Sequence, residues 1–401
     1  EHEKNQGRKV LNVPNLRFPE FEGEWEEHGL SELLDFKNGL NPKTNKFGKG
    51  IKFISVMDIL NNAVITYDCI KTSVDVTEKE LSDFSVEYGD LLFQRSSETL
   101  EDIGRANVYV DDKTAVFGGF VIRGKKKGEY NPLFFSYLLA SPFARKKVIP
   151  MGAGAQHFNI GQEGLSKVKL YFASLNEQDK IARLLSLIDE RIATQNKIIE
   201  DLKKLKSAII EIEYTPNTKT TSHIGDVIEQ ISKRNKNNAI QNVLSVSNRQ
   251  GFIKQSDQFE NRIVASEDTS NYKIVEQNDF AFNPARINVG SIARLTTLEK
   301  GIVSPMYICF RTQENVAPEY IDYFFESKHF YCEIQKRLEG SVRQCLSFEG
   351  LSNIPLSLPS FEMQQLIGKR LFTLGQKIKT ETDLLELLNK QKQYLLRQMF
   401  I

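Results

Sequence analysis

The sequence is poor in the residues that form disulfides, bind metals or cross membranes. Its 401 residues include four cysteines and five histidines, and neither set shows the close spacing of a metal site. No apolar run approaches the ~18 residues that span a membrane. The first ten residues lack the apolar stretch of a signal peptide. These absences predict a cytoplasmic protein with reduced thiols, no membrane segment and no metal.

Motifs for catalysis are missing as well. The sequence has no GxxxxGK[ST] phosphate loop, and residues 151–155 form a small-residue turn that does not join a strand to a helix, as a dinucleotide motif would. No carboxylate and lysine pattern of a nuclease stands out. We therefore expect no catalytic residue, no metal and no cofactor in this chain.

The most informative feature is an internal repeat with a period of 186 residues. Residues 160–215 and 346–401 are identical at 15 of 56 positions without a gap, and residues 53–58 parallel residues 243–248. Solenoid repeats have periods of ~20–50 residues, so this repeat is too long to be one of them. It indicates two copies of a whole domain, each with an appended segment.

Each copy ends in a segment with helical periodicity. Residues 177–213 contain neither Pro nor Gly, and apolar residues recur at three- and four-residue steps, as in a heptad seam. On the amino-terminal side of each helical segment, short runs of β-branched and aromatic residues predict strands. We therefore expect mixed α/β (α+β) domains. The predicted coiled-coil seam comprises Ile181, Leu185, Ile188, Ile192, Ile199, Leu202, Ile209, Ile367, Leu371, Leu374, Ile378, Leu385, Leu388 and Leu395.

Polar residues interrupt each seam twice. They are Gln195 and Lys206 in the first copy, and Glu381 and Lys392 in the second. An imperfect register would explain them, but so would antiparallel packing that places Lys206 opposite Glu381 and Gln195 opposite Lys392. Polar pairs in a seam set register and orientation. The sequence thus predicts an antiparallel two-helix coiled coil that separates two pseudo-symmetric domains.

Two basic windows lie near the start of the two copies. Residues 37–52 contain five lysines, residues 232–254 contain five lysines and arginines, and neither window contains an acid. A solvated face is an equally good explanation for either window alone. Two such windows at matching places favour contacts with phosphate groups, which require Lys and Arg.

The tail of each domain carries a recurring pattern. The first copy reads GAQHFNI over residues 154–160, with EGL following at 163–165 and NEQ at 176–178. This pattern and the two-domain arrangement resemble the specificity subunits of bacterial type I restriction-modification systems, over nearly the whole chain. The first copy departs from the family pattern with Lys169 and Ala173 where Pro355 and Pro359 stand, and the second with Met363 in place of an acid.

The resemblance implies a non-catalytic subunit that gives a larger complex its DNA sequence specificity. Each target-recognition domain would read one half of a bipartite, asymmetric site in double-stranded DNA. The helices would set the gap and dock two methyltransferase subunits, joined by two restriction (motor-nuclease) subunits. S-adenosylmethionine, ATP and Mg²⁺ are expected in those partners, which confer adenine methylation and DNA cleavage. The implied segments are an arm (1–28), recognition domain 1 (29–174), a central helix (175–215), recognition domain 2 (216–359) and a carboxyl-terminal helix (360–401).

No fixed motif identifies the side chains that read DNA. Base edges favour Arg, Lys, Asn and Gln in loops. For each candidate, an ordinary surface or capping role is an equal alternative. The candidates are Lys43, Lys46, Lys49, Gln94, Arg95, Arg105, Gln156 and His157 in the first domain, and Lys233, Arg234, Lys236, Arg249, Arg286, Asn288, Arg343 and Gln344 in the second.

Three other functions compete with this prediction. A stand-alone DNA-binding protein would have the two reading domains without a methyltransferase partner, and would purify alone. A nuclease with a hidden site would cleave DNA by itself in the presence of a metal. A structural tether with no role in nucleic-acid binding would not require two basic windows.

Overall fold

The computed structural model describes residues 11–215, 222–248, 250–255, 268–340 and 344–401. The chain divides into two compact units. Unit 1 consists of Glu1–Asn196 with Asp383–Ile401, and unit 2 consists of Lys197–Thr382. The boundaries between the units fall inside the two long helices, so each unit contains one globular part and a portion of both helices.

Unit 1 is built on two four-stranded sheets. Their strand orders are β2-β10-β6-β8 and β4-β3-β9-β5, and the pairs β1-β12 and β11-β7 complete the pairing. The strands are β1 (Glu26–Gly29), β2 (Leu34–Asn38), β3 (Phe47–Ile54), β4 (Ser73–Val74), β5 (Ser85–Val86), β6 (Leu91–Gln94), β7 (Ser96–Ser97), β8 (Ala106–Val108), β9 (Ala115–Phe117), β10 (Val121–Lys126), β11 (Phe158–Asn159) and β12 (Lys169–Phe172). The helices are α1 (Leu30–Leu33), α2 (Val56–Asn61), α3 (Glu78–Phe84), α4 (Pro132–Ala140), α5 (Pro142–Val148), α6 (Gln162–Ser166) and α7 (Leu175–Tyr214).

Unit 2 repeats this topology. Its sheets have the orders β14-β21-β18-β19 and β16-β15-β20-β17, with the pair β13-β22. The strands are β13 (Ser222–His223), β14 (Ile228–Ile231), β15 (Val243–Ser247), β16 (Gly251–Lys254), β17 (Lys273–Glu276), β18 (Phe280–Phe282), β19 (Ile292–Arg294), β20 (Lys300–Val303), β21 (Ile308–Thr312) and β22 (Pro355–Leu356). The helices are α8 (Pro318–Phe324), α9 (Lys328–Arg337), α10 (Phe348–Ser352) and α11 (Phe361–Gln398). The mixed α/β fold with two pseudo-symmetric domains is confirmed.

The long helices α7 and α11 contain 40 and 38 residues. In unit 1, Ile181 and Leu185 near the start of α7 share a core with Leu395 near the end of α11. In unit 2, Ile210 near the end of α7 shares a core with Leu371 near the start of α11. Each unit thus pairs the beginning of one helix with the end of the other, which is the antiparallel order. All fourteen predicted seam residues are buried or half-buried.

Each seam lysine lies beside a carboxylate. Lys206 Nζ lies 2.6 Å from Glu326 Oε2, and Lys392 Nζ lies 2.5 Å from Asp189 Oδ1. Each lysine also lies over a tyrosine ring, Lys206 over Tyr323 and Lys392 over Tyr137, at 5.1 and 5.6 Å from the centroids.

Both the lysines and the tyrosines are related by the repeat, each 186 residues apart. Asp189 lies on α7, so its pair with Lys392 joins the two long helices, whereas Glu326 belongs to the globular part of unit 2. The tyrosine rings come from the globular parts, and the ring quadrupole also attracts each ammonium group. Gln195 and Glu381 are both buried.

A buried glutamine near the start of each long helix fixes the globular part to that helix. Gln364 Oε1 accepts from Ala317 N at 3.0 Å, and Gln364 Nε2 donates to Pro359 O at 2.9 Å. In unit 1, Gln178 makes the same two bonds, with Asn131 N and Ala173 O. A glutamine amide provides an acceptor and a donor at once, so one side chain satisfies two backbone groups.

We expect Gln364→Ala to lower the free energy of unfolding by about 1–3 kcal/mol, because it leaves the buried N–H of Ala317 without an acceptor. Denaturant titration measures the change. The neighbouring Gln365 is exposed, so Gln365→Ala is the matched control and should change stability by less than about 0.5 kcal/mol. Equal effects of the two substitutions would contradict the anchoring role of Gln364.

Among the described residues, no helix is long and apolar enough to cross a membrane.

Candidate nucleic-acid interface

A parallel strand pair organises the same end of both globular parts. In unit 1, Phe53–Ile54 of β3 pair with Val116–Phe117 of β9, and in unit 2, Val243–Leu244 of β15 pair with Ile302–Val303 of β20. Parallel strands end on the same side of a sheet, so the segments that follow the two strands lie side by side. Each unit has a pocket at this place.

The turns that follow β9 and β20 correspond residue by residue. Ile122 pairs with Phe93 in unit 1, and Ile308 pairs with Phe282 in unit 2. The residues two positions before Ile122 and Ile308 are therefore equivalent, and they are Phe120 and Met306. Each is a large apolar side chain at the surface, with exposed fractions of 69% and 56%.

The pocket of unit 1, the apolar pocket, is lined mainly by carbon. Phe47, Phe53, Val56, Met57 and Phe120 contribute to its wall, together with the backbone of the turn after β9. Phe47 and Phe53 pack edge to face with their centroids 5.3 Å apart. Such a surface favours an apolar group over a hydrogen-bonding group.

The pocket of unit 2, the polar pocket, occupies the corresponding place. Asn248, Asn283, Arg286, Ser291 and Met306 are among its lining residues. The amide and guanidinium groups here are the ones that bind base edges in the major groove. The two pockets are therefore built on one backbone plan but carry different chemistry.

A second loop borders each pocket in the same way. In unit 1, Phe158–Asn159 of β11 pair with Ser96–Ser97 of β7, and Ile160 N donates to Arg95 O at 3.0 Å. In unit 2, Leu346 N donates to Pro284 O at 3.0 Å. The predicted candidates in the 156–157 and 344 loops are thereby brought close to the two pockets.

The DNA-binding candidates of unit 1 differ in exposure and in their partners. Lys43, Lys49, Gln156 and His157 are exposed. Lys46 is half-buried, and its Nζ lies 3.3 Å from Glu80 Oε2.

Arg95 and Arg105 are held by other parts of the chain. The Nη1 of Arg95 donates to Gly119 O at 3.2 Å, and the Nη2 of Arg105 lies 2.6 Å from Asp102 Oδ1. Arg95 therefore supports the turn that carries Phe120. Arg105 is an exposed cation with a neighbouring carboxylate.

Gln94 is the one unit 1 candidate that the structure buries. Its side chain is only 5% exposed, and its Nε2 donates to Ser96 O at 2.9 Å. The residue is the last of β6, where the side chain points into the unit rather than towards solvent. A buried amide in this position supports the loop that follows.

In unit 2, one loop gathers three candidates. Lys233, Arg234 and Lys236 follow β14, are exposed, and line one shallow pocket. The Nη1 of Arg234 donates to Asn271 Oδ1 at 2.7 Å. This cluster of cations provides a surface suited to phosphate groups.

The remaining unit 2 candidates lie on other loops. Arg286 is exposed at the polar pocket, Asn288 is half-buried, and Gln344 is exposed. Arg249 and Arg343 lie outside the described residues.

The backbone around Arg286 is held firmly. Its N–H donates to Asn283 O at 3.0 Å, and its carbonyl accepts from Val289 N and Ser291 N at 3.2 and 3.1 Å. Asn283 Oδ1 also accepts from Ala285 N at 3.1 Å. A cation on such a fixed loop is placed accurately before a ligand arrives, which reduces the entropy lost on binding.

A buried carboxylate braces the sheet in each unit. Asp90 accepts from Lys126 N at 2.9 Å beside Arg123, and Asp279 accepts from Glu276 N at 2.7 Å and from Arg311 Nε at 3.0 Å. Burial raises the pKa of both carboxyl groups, and the backbone N–H donors oppose that rise. The two carboxylates support the strands around them.

Sequence reasoning missed Phe120, Met306 and Met57, three exposed apolar residues at the pockets. A signal was available for the first, because Gly118 and Gly119 precede Phe120 between two strand-like runs. Within the part of the chain that the structure describes, no group of three or more His, Cys, Asp or Glu residues could hold a metal ion.

Comparisons with known proteins agree on one family. A family model for the type I restriction modification DNA specificity domain matches residues 22–204 and again residues 214–390. The chain is 24% identical to the putative type I restriction enzyme MjaX specificity subunit of Methanocaldococcus jannaschii over 418 residues. That alignment covers 96% of this chain and 93% of that protein. The MjaVIII specificity subunit of the same organism is 24% identical over 298 residues, 66% of each chain.

Two solved structures share the fold. The S subunit of a type I restriction-modification system from M. genitalium matches with a TM-score of 0.59 and 16% identity, over 97% of this chain and 99% of that one. A chain solved to explain complex assembly and conformational transition of the type I R-M system matches with a TM-score of 0.53 and 14% identity, over 93% and 96%.

Proposed function

The chain belongs to the family of type I restriction-modification DNA specificity subunits, and we propose that its two units read the two halves of one split site in double-stranded DNA. It is a non-catalytic subunit that supplies sequence specificity to its complex. The observation that carries the proposal is the duplicated pocket. One backbone plan occurs twice, each time beside a basic loop, and with different side chains in each copy.

We assign phosphate contacts and base contacts to residues by their charge and exposure. Exposed lysines such as Lys43 and Lys49 contact phosphate groups, which carry no sequence information but fix position. Arg286 in the polar pocket presents a planar fork of donors, which matches the O6 and N7 acceptors of guanine. The exposed carboxamide of Asn248 provides a further donor and acceptor at the same pocket.

The long helices act as spacer and docking surface in this proposal. A helix of 40 residues is about 60 Å long, which exceeds the ~34 Å between half-sites one DNA turn apart. Outside the seam, α7 exposes Leu187, Ile198, Leu205 and Ile212 with exposed fractions of 40–77%. Exposed apolar side chains at such spacing mark a protein interface.

The partners follow from the family. We propose that two methyltransferase subunits dock on the helices and that two restriction subunits complete the complex. S-adenosylmethionine would bind the methyltransferase subunits, and ATP and Mg²⁺ would bind the restriction subunits. This chain would hold none of them.

Co-expression with the methyltransferase of the same system tests the docking. The expected result is one stable complex in size-exclusion chromatography. A matched variant with Leu205→Ser and Ile212→Ser should lose the methyltransferase while keeping its own melting temperature. A chain that stays separate from an active methyltransferase would instead favour the stand-alone DNA-binding protein.

Lysine variants test the phosphate contacts. Replacing Lys43 and Lys49 together by Ala should weaken binding to every sequence. The slope of log affinity against log salt should become shallower by about 1.8, or about 0.9 for each lost contact. Titrations at four salt concentrations measure the slope. Lys204 is exposed on α7 and pairs with Glu200, so Lys204→Ala is the control and should leave the slope unchanged. A loss confined to one sequence would contradict the phosphate role.

A further inference from the structure

The apolar pocket of unit 1 has two exposed apolar side chains, which contacts with phosphate groups do not explain. Phe120 is 69% exposed and Met57 is 61% exposed, and they stand at the same recess. Phe53 is buried at its base and packs against the ring of Phe47. Two large apolar side chains held at a surface cost hydration free energy unless a ligand covers them.

The recess is rigid. A Cβ added at Gly119 would lie 1.9 Å from Asn41 Oδ1, and one added at Gly118 would lie 2.7 Å from the ring of Phe53. The carbonyl of Phe120 accepts from Arg95 N at 2.9 Å, and that of Gly119 accepts from the Arg95 guanidinium. A side chain at Gly118 would displace the ring of Phe53, and the two hydrogen bonds from Arg95 hold the turn that presents Phe120.

The surroundings of the recess are basic. Its wall includes Pro42 and Phe47, which belong to the window 37–52 with five lysines and no acid. Lys43 follows Pro42 and Lys49 lies two residues after Phe47 in the same window, and both lysines are exposed. A ligand that suits this surface must be negatively charged around an apolar group of small size.

Thymine in duplex DNA meets both requirements. Its C5-methyl group is the apolar feature on the major-groove edge of an A·T pair, and phosphates flank it on both strands. We propose that the apolar pocket of unit 1 binds the C5-methyl group of a thymine in the half-site that this unit reads. The inference rests on the proposed function and names the chemistry that one of its two sites selects.

The polar pocket of unit 2 has different side chains from the apolar pocket of unit 1. At the equivalent place in unit 2, the exposed Asn248 and Arg286 provide hydrogen-bonding groups, and Met306 stands where Phe120 stands in unit 1. Met57 and Asp58 of unit 1 correspond to Ser247 and Asn248 of unit 2. The two units therefore select by different means, one by methyl contact and the other by hydrogen bonds.

Deoxyuridine tests the inference directly, because it differs from thymidine only by the missing methyl group. The complex with the methyltransferase is titrated with duplexes in which each thymine of the recognised site is replaced in turn. At one position of the unit 1 half-site we expect about fourfold weaker binding, which corresponds to one buried methyl-sized group. In Phe120→Ala or Met57→Ala, the same replacement should have no effect.

Both variants should fold as the wild type does, because both replaced side chains are exposed. Phe143→Ala is the control, since Phe143 is an exposed phenylalanine of unit 1 on α5 and should retain the fourfold penalty. The inference is overturned if the wild type tolerates deoxyuridine at every position, or if Phe120→Ala keeps the full penalty. Absence of any sequence preference would overturn the proposed function itself.

Discussion

Replacing Arg286 by Ala should relax recognition at one base pair of the half-site read by unit 2. The guanidinium is exposed at the polar pocket, on a loop held by hydrogen bonds from Arg286 N, Val289 N and Ser291 N. A bidentate contact to guanine contributes about 1–3 kcal/mol of discrimination, so the preferred base should lose about 5- to 150-fold in affinity. Competitor bases at that position should bind almost as before.

Arg286→Lys separates charge from geometry. Lysine keeps the positive charge but lacks the planar fork, so it should restore general affinity while the discrimination stays low. Binding of the complex to duplexes altered at each position of the site measures both quantities. An Arg286→Ala variant with unchanged affinity and unchanged preferences would show that Arg286 does not read DNA.

Replacing Arg17 by Ala should have the largest effect on stability. Arg17 Nε and Nη2 donate to the two carboxylate oxygens of Glu177, each at 2.8 Å, and Nη1 donates to Gly23 O at 2.6 Å. The side chain of Glu177 is 1% exposed. Removing the arginine leaves a buried carboxylate without its cation, which costs about 3–5 kcal/mol.

The loss should be large at every pH that the protein tolerates. The hydrogen bonds that Arg17 donates to Glu177 raise the pKa of Arg17 above its ordinary value. A group with a raised folded pKa contributes its full stabilisation below the unfolded pKa and loses it as the pH rises through the folded pKa. The stabilisation by Arg17 is therefore complete at neutral pH, and on the alkaline side it is lost only in strong alkali.

A double-mutant cycle isolates the pair. Glu177→Gln in the Arg17→Ala background removes the unpaired charge and should recover about half of the lost stability. Lys204→Ala breaks the fully exposed pair with Glu200 and should change stability far less. Denaturant titration of Arg17→Ala, Glu177→Gln, the double variant and Lys204→Ala measures these differences. Equal costs for Arg17→Ala and Lys204→Ala would contradict the structural role of the buried pair.

The helical part of the fold was predictable because its signal is local. The spacing of Ile181, Leu185 and Ile188 defines one face of α7 whatever the rest of the chain does. The partners of Lys206 and Lys392 were not predictable in this way. Their acids and tyrosines include side chains of the globular parts, and only the folded chain brings them to the lysines.

The residues of the candidate site were harder to predict from the sequence than the long helices. Arg286 could be selected from the sequence because it lies in a loop rich in Asn and Pro. The burial of Gln94 depends on its position in a sheet whose strands are far apart in sequence. The exposure of Phe120 depends on the parallel pairing of β3 with β9, about sixty residues apart. Such long-range pairing decides which side chains reach the surface.

Adenine methylation in a host genome tests the central claim most directly. The chain is co-expressed with its methyltransferase, and methylated adenines are mapped by single-molecule sequencing. Two reading units joined by helices of fixed length predict one split motif, with two short defined halves and a constant gap. A single continuous motif, or no added methylation with a methyltransferase shown to be active, would contradict that account.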